Sequence, residues 1–348
     1  MSRYVDVEIT RQTKPLSEVG YGTLLILATS KALAYKEYEE LDSLKADFAV
    51  DTDEYKLAKA HLDQDPKPLR VAVYGVVYDA LAQEPTVLTG ALDTLIKTHN
   101  DFYYLSSVEQ GDEEITALAK WIHKKDKMYI TSTSNELLPG ILKAESEANE
   151  ELYPGDNLYE NVFIMVHDQP TTFPAEALVG AISSMPFGSY TWTFKFLRGV
   201  PVVVYDDDKI NKIHENNACT YIKEGGQNIT SKGITVFGEY ADVIQATHFL
   251  KSELALGVFK LLASNPKIPY TNGGIALVAA EVERVLNQGF KQGIIADEEG
   301  VPLYSISVPT RSDVPVNMRA NRILPDVKWK ATIAGAIEGV EIHGVLAL

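Results

Sequence analysis

Two apolar runs constrain this chain more than any other feature. GTLLILATS, starting at Gly22, and LRVAVYGVV, starting at Leu69, are continuous hydrophobic stretches with little alternation, the pattern of strands buried on both faces. Between them lie two amphipathic helical patterns, around Ser43 to Phe48 and Asp53 to Asp63. Strand, helix, strand in that order is a crossover unit, which requires a parallel or mixed sheet with helices packed on it.

The alternation continues downstream. Periodicity predicts helices over Val87 to Thr98, Asp112 to Lys124, Leu137 to Leu152 and Ala175 to Met185. Strands are expected at Asp101 to Ser106, Met128 to Thr133 and Asn161 to His167, and a strand or extended edge at Val200 to Tyr205. After about Asn216 the character changes. An antiparallel hairpin is expected around Gly225-Gly226, then long helices over Ala241 to Ser264 and Ile275 to Gln288. The rest reads as extended: Val301 to Val308, then SDVPVNMRANRILP, then a strand from Asp326 to Ile333. No repeat of fixed period is present.

Both ends of the sequence carry strand patterns set apart by turn residues. Val5, Val7 and Ile9 alternate with Asp6, Glu8 and Thr10, and Pro15 and Gly20 then break the pattern. At the other end, IAGAIEGVEIHGVLAL predicts a strand over Val340 to Leu346 behind Glu338-Gly339. A strand on a leash completes a sheet in its own chain or in a neighbour. Head-to-tail exchange between copies builds rings or helical tubes.

Charge narrows the function. A formal net charge of -16 argues against nucleic acid as a partner, which needs a basic face, and against bulk-charge adhesion to anionic membranes. The single cysteine, Cys219, rules out an intrachain disulfide framework and fits folding in a reducing compartment. No signal-peptide pattern opens the sequence. The run from Gly22 to Ala28 is too short to span a bilayer, so insertion into a membrane is not expected.

Motifs for chemistry are sparse. Neither a P-loop nor a Gly-x-Gly-x-x-Gly nor a Gly-x-Ser-x-Gly elbow occurs. The seven histidines are scattered without metal-ligand spacing. His167-Asp168 at a strand end is the best catalytic-looking pair, because open α/β sheets place sites there; the competing reading is a strand-end turn stopped by Pro170. Asp206, Asp207 and Asp208 offer oxygen ligands but splay as a consecutive run, so a solvated acidic turn is favoured over a cation site. Asn228-Ile229-Thr230 is a formal glycosylation sequon with no secretory context. Trp192 and Trp329 are expected in alternating strands, where core packing is favoured over ligand stacking. No catalytic, cofactor-binding or metal-ligating residue is assigned.

Four stretches carry a resemblance. YVDVEI with GYGTLLIL opens the chain, and SLKADFAVDTDEYKLAKAHLDQDPKPLRVAVYGV follows. The helical unit runs from FGEYADVIQATHFL to NQGFKQGII, and RILPDVKWKATIAGAIEGVEIHGVL closes the sequence. In their order and spacing they resemble the sheath proteins of contractile phage tails and related contractile injection particles, in particular the shorter ones without outer decorations.

The resemblance implies an α/β (α+β) chain: an outer α/β domain with a mixed sheet, likened to subtilisin but without its triad, and an inner α+β domain built from both chain ends. The corresponding divisions are an N-terminal arm at 1–19, an outer domain at 20–215, a tube-facing inner domain at 216–335 and a C-terminal arm at 336–348. It also implies stacked hexameric rings of self-associated subunits around a tail tube, with baseplate and tail terminator proteins as further partners. Assembly would occur in a bacterial host's cytoplasm, and contraction would drive the tube through the target envelope.

On that reading Val5, Val7, Ile9, Val340, Ile342, Val345 and Leu346 exchange strands between subunits. Gly335 and Gly339 either hinge the arm or mark a tight turn. The cations Arg311, Arg319, Arg322, Lys328 and Lys330 outnumber Asp313 and Asp326 across 311–330. They face the tube, a neighbouring acidic subunit, or only solvent. An α/β hydrolase-like enzyme using His167 or Asp168, and a generic homo-oligomeric binding module, are the alternatives.

Overall fold

The computed structural model describes residues 21–341 and 343. The two apolar runs become β1 (Leu24–Ala28) and β3 (Val71–Gly75), neighbours in parallel register with Leu24 opposite Val71. Between them lie β2 (Leu33–Tyr38), α1 (Leu41–Leu44) and α2 (Asp53–Leu62). β2 was not expected. It alternates half-buried and exposed residues and runs antiparallel to β3 as the sheet's edge. It takes up chain that the sequence reading left unassigned, and the helix expected at Ser43 to Phe48 shrinks to the single turn of α1.

The sheet continues through β4 (Tyr104–Ser107), β5 (Met128–Thr133) and β6 (Val162–Val166), giving the order β2-β3-β1-β4-β5-β6. All strands but β2 are parallel. The connecting helices are α3 (Thr86–Leu95), α4 (Asp112–Ile122), α5 (Leu138–Leu152) and α6 (Pro174–Ile182). Alternate strand residues serve different cores. Leu24, Ile26, Val71, Val73 and Ile130 pack with α2 and α6, whereas Leu25, Leu27, Ala72, Tyr129 and Ile164 pack with α3, α4 and α5.

On the first face α2 and α6 approach closely because α6 carries Gly180. A Cβ there would stand 2.2 Å from the His61 carbonyl oxygen.

After α6 a long loop carries Trp192. It lies outside any strand, contrary to expectation, but is fully buried. The Val200 to Tyr205 segment is extended without joining a ladder; the Val203 amide donates to the Tyr221 carbonyl at 2.9 Å. Asp206 is the N-cap of α7 (Asp207–Glu215), its Oδ1 accepting from the Lys209 amide at 2.8 Å, with Asp207 and Asp208 in the first turn. The expected acidic turn is thus a helix start, where carboxylates meet unpaired N–H groups and the positive end of the dipole.

The hairpin of β7 (Tyr221–Glu224) and β8 (Gln227–Thr230) turns at Gly225 and Gly226, both with positive φ, as a two-residue type I′ loop requires. The flanking chain seals the β6 edge. The Cys219 amide donates to the Ile164 carbonyl at 3.0 Å, the Val166 amide donates to the Cys219 carbonyl at 2.8 Å, and the Val236 amide donates to the Val162 carbonyl at 2.9 Å.

The long helices follow as α8 (Ala241–Ser264) and α9 (Asn272–Lys291). α9 starts three residues before the expected Ile275 because Thr271 caps it, accepting from the Gly274 amide at 3.2 Å. Beyond α9 lie a short hairpin of β9 (Asp297–Glu298) and β10 (Val301–Pro302), then β11 (Tyr304–Ser307), α10 (Val316–Ala320) and β12 (Lys328–Ala331). α10 corrects the extended reading of SDVPVNMRANRILP. Pro315 sits at its N-cap and initiates the turn.

Gly180→Ala is expected to force α2 and α6 apart and to cost about 1–3 kcal/mol. A denaturant midpoint indistinguishable from that of the parent would show that the two helices yield freely.

Candidate functional site

The parallel strands alone run β3-β1-β4-β5-β6, so the connections change direction between β1 and β4. Ligands of open α/β sheets bind at the carboxyl end of such a switch point. Here Thr29 follows β1 and donates to Glu109 Oε1 at 2.5 Å, while the Ser30 amide donates to Glu54 Oε1 at 3.2 Å. The chain then enters β2 rather than a helix. Carboxylates therefore occupy the place where a phosphate would need amide donors and a helix N-terminus.

Deeper under the same end lies a cluster that no motif announced. Glu176, in the first turn of α6, is wholly buried. Ser106 Oγ donates to its Oε1 at 2.6 Å, and Ser132 Oγ lies 3.4 Å from Oε2. Burial pushes this carboxyl up to about 7, against the opposing pull of the Ser106 and Ser132 hydrogen bonds. The nearby His61 Nδ1 faces the Glu176 backbone oxygen at 3.4 Å rather than the carboxyl. Burial depresses this imidazole to about 4. Serine bonds directly to carboxyl with no histidine between them, and all four side chains are closed to solvent. The arrangement is a buried polar core in which His61 Nε2 meets no hydrogen-bond partner, not a nucleophile paired with a base. Only tertiary structure unites its members, which come from α2, β4, β5 and α6.

His167 takes the strand-end role. Its Nδ1 accepts from the Gln169 amide at 3.0 Å and its Nε2 meets the Pro201 carbonyl at 2.8 Å. Both ring nitrogens are thereby used in holding the 167–169 turn against the Pro201 segment, and the ring is fully buried. Among the described residues no group of three or more His, Cys, Asp or Glu is placed to hold a metal ion. No described helix is long and apolar enough to cross a membrane.

The expected assembly residues divide in three. Val5, Val7, Ile9, Ile342, Val345 and Leu346 lie outside the described residues. Val340 is 74% exposed and outside any strand. Gly335 and Gly339 are exposed, take no positive φ, and would meet nothing within 4 Å if given a Cβ.

The cations sit on and beside the small β-layer. β11 and β12 pair antiparallel, with Ile306 opposite Trp329 and Ser307 opposite Lys328. Tyr304, Ile306, Trp329 and Ala331 pack inward. Lys328 and Lys330 therefore share the exposed face, where Lys328 reaches Asp326 at 3.2 Å. The structure brings Arg311 and Arg319 together separately. Arg311 Nε donates to the Tyr270 carbonyl at 3.1 Å, and Arg319 donates to the Arg311 carbonyl at 2.7 Å. Arg322 is exposed, and no described contact joins its side chain to either pair.

Residues 241–303, comprising α8, α9 and the β9–β10 hairpin, match the C-terminal domain of the E217 tail sheath protein gp31-like family. The whole chain superposes on solved sheath-particle subunits. A chain of the anti-feeding prophage baseplate matches with TM-score 0.66 at 11% identity, covering 100% of both chains. The contracted sheath complex of the extracellular contractile injection system PVC gives 0.65 at 11%, covering 99% of this chain and 98% of that one. The chain has the fold of these contractile-particle subunits. The sheath tail protein of Desulfitobacterium hafniense matches with TM-score 0.58 at 10% identity over 87% of this chain and 93% of that one. No curated protein matches by sequence. At these identities the superposition speaks for a shared sheath fold, and the sequence match covers the sheath domain's helical unit.

The buried carboxyl makes a signed pH prediction. The folded value of about 7 lies above the ordinary 4.5, so folding takes up a proton between them. This contribution is fully present below pH 4.5 and is lost as the pH rises through 7. Glu176→Gln is expected to gain on the parent over that interval by on the order of 3 kcal/mol. Parallel stability curves for the two proteins from pH 5 to 8 would refute the assignment.

Proposed function

We propose that this protein is a structural tail sheath subunit, stacking with copies of itself as hexameric rings around a tail tube and contracting to drive the tube through a target envelope. The observation that carries the reading is the end-to-end likeness to chains of contractile particles, covering both partners of the comparison almost completely. One of those particles is a six-fold symmetrised baseplate and another a contracted sheath, which favours sixfold rings and contact with a baseplate. Location in a phage tail or tail-like particle, and a structural rather than enzymatic role, go with the same reading.

The division of labour is part of the proposal. The α/β layer over 20–215 forms the outer body, and 216–335 contributes the tube-facing side. The segments 1–19 and 336–348 act as arms that pair with neighbouring copies through Val5, Val7 and Ile9 and through Val340, Ile342, Val345 and Leu346. Exposed apolar side chains at Ile337 and Val340, 85% and 74% accessible, support exchange, since such surface is stabilised by a partner. The cations Arg311, Arg319, Arg322, Lys328 and Lys330 face an acidic tube or an acidic neighbour. This chain's own charge of -16 makes its copies suitable neighbours.

Negative-stain microscopy of the purified protein is expected to show hollow tubes or rings, whereas a monodisperse small oligomer at high concentration would count against the sheath reading. Deleting residues 340–348 is expected to leave a folded subunit unable to form tubes; normal tubes from it would end the exchange model. Replacing Arg319 and Lys330 with Glu is expected to raise the concentration required for assembly on the order of tenfold at low salt. An unchanged threshold would assign these cations to solvent.

A further inference from the structure

The C-terminal segment leaves the body by a defined route. The Ala296 amide donates to the Thr332 carbonyl and the Ala334 amide donates to the Ile294 carbonyl, each at 2.9 Å. Beyond Ala334 no described backbone hydrogen bond holds it. Residues 335, 336, 337, 339 and 340 are exposed. Glu338, between them, is half-buried, and it accepts a hydrogen bond from Thr191 Oγ1.

The surroundings of that carboxylate are mixed. The half-buried ammonium groups of Lys195 and Lys232 lie within its electrostatic reach and attract it, while the carboxylate of Asp242 repels it. Glu239 adds to the negative charge at Asp242. Below the segment, a cavity of about 200 Å³ opens between Tyr190, Thr191, Asp242, Ile294, Ala334 and Gly335. The chain therefore borders a gap, and is tied down past it by one polar side chain.

We propose that Glu338 is a latch which parks the C-terminal segment on its own subunit before assembly and yields when a second copy takes the segment. The polarity of the attachment supports this. Ile337 and Val340 stay free while the carboxylate is held, so the apolar surface remains for a partner. A hydrogen bond from one threonine, with two lysines attracting from beyond contact distance, exchanges readily for water. The latch delays polymerisation and limits pairing of loose arms in solution. It rests on the arm-exchange reading above.

Cys219 is fully buried, so a nitroxide attached through Val340→Cys reports the segment alone in unassembled protein. Glu341, exposed and in the same segment, supplies the control. Glu338→Gln and Thr191→Val are each expected to shift the ratio of mobile to immobile label about tenfold, with Glu341→Gln unchanged. Without the label, the first two variants are expected to shorten the lag of polymerisation followed by light scattering. Label spectra of Glu338→Gln matching those of Glu341→Gln would overturn the latch, as would a freed segment with an unaltered lag. Failure of arm exchange itself appears elsewhere, as normal tubes from the 340–348 deletion.

Discussion

Gln245 on α8 ties that helix to β4 and to the loop after α6. Its Oε1 accepts from Trp192 Nε1 at 3.0 Å and from the Tyr190 hydroxyl at 3.2 Å, while its Nε2 donates to the Tyr104 hydroxyl on β4. One turn on, His248 Nδ1 meets the Tyr103 hydroxyl at 2.9 Å. Burial depresses this imidazole to about 4, so it is neutral. A buried amide with unmet partners costs roughly 1–3 kcal/mol. The register of α8 on the sheet is consequently set by polar groups that must all be satisfied together, and the apolar contacts of Phe249, Leu250 and Leu254 follow.

This clasp also organises the exits of the chain. Tyr21, the first described residue, packs edge-on against Phe187 with centroids 4.9 Å apart and donates to the His248 carbonyl. The stretch 188–191 that follows Phe187 lines the cavity crossed by the C-terminal segment. Both segments proposed to exchange between copies thus leave from the neighbourhood of α8.

The described residues proposed for assembly lie at the surface. The small β-layer packs Ile306 and Trp329 inward and presents Lys328 and Lys330 outward, and its two strands pair only with each other among the described residues. In the main sheet the β6 edge is sealed by Cys219 and Val236. The bulge between Leu33 and Lys36 makes β2 a poor template for further pairing.

Local pattern by itself determined much of this protein. The doubly buried strands, the crossover helices, the β7–β8 turn and the limits of α8 were legible because each depends on periodicity or glycine content within a few residues. His167 as a strand-end residue was legible for the same reason. Tertiary structure alone decided that β2 would form an edge, since a half-exposed hexapeptide lacks a strong pattern until β3 is beside it. It alone buried Trp192 from a loop. The Glu176 cluster and the Gln245 clasp were invisible beforehand because their members are separated by up to 141 residues. Their chemistry arises from burial, which a linear sequence does not display.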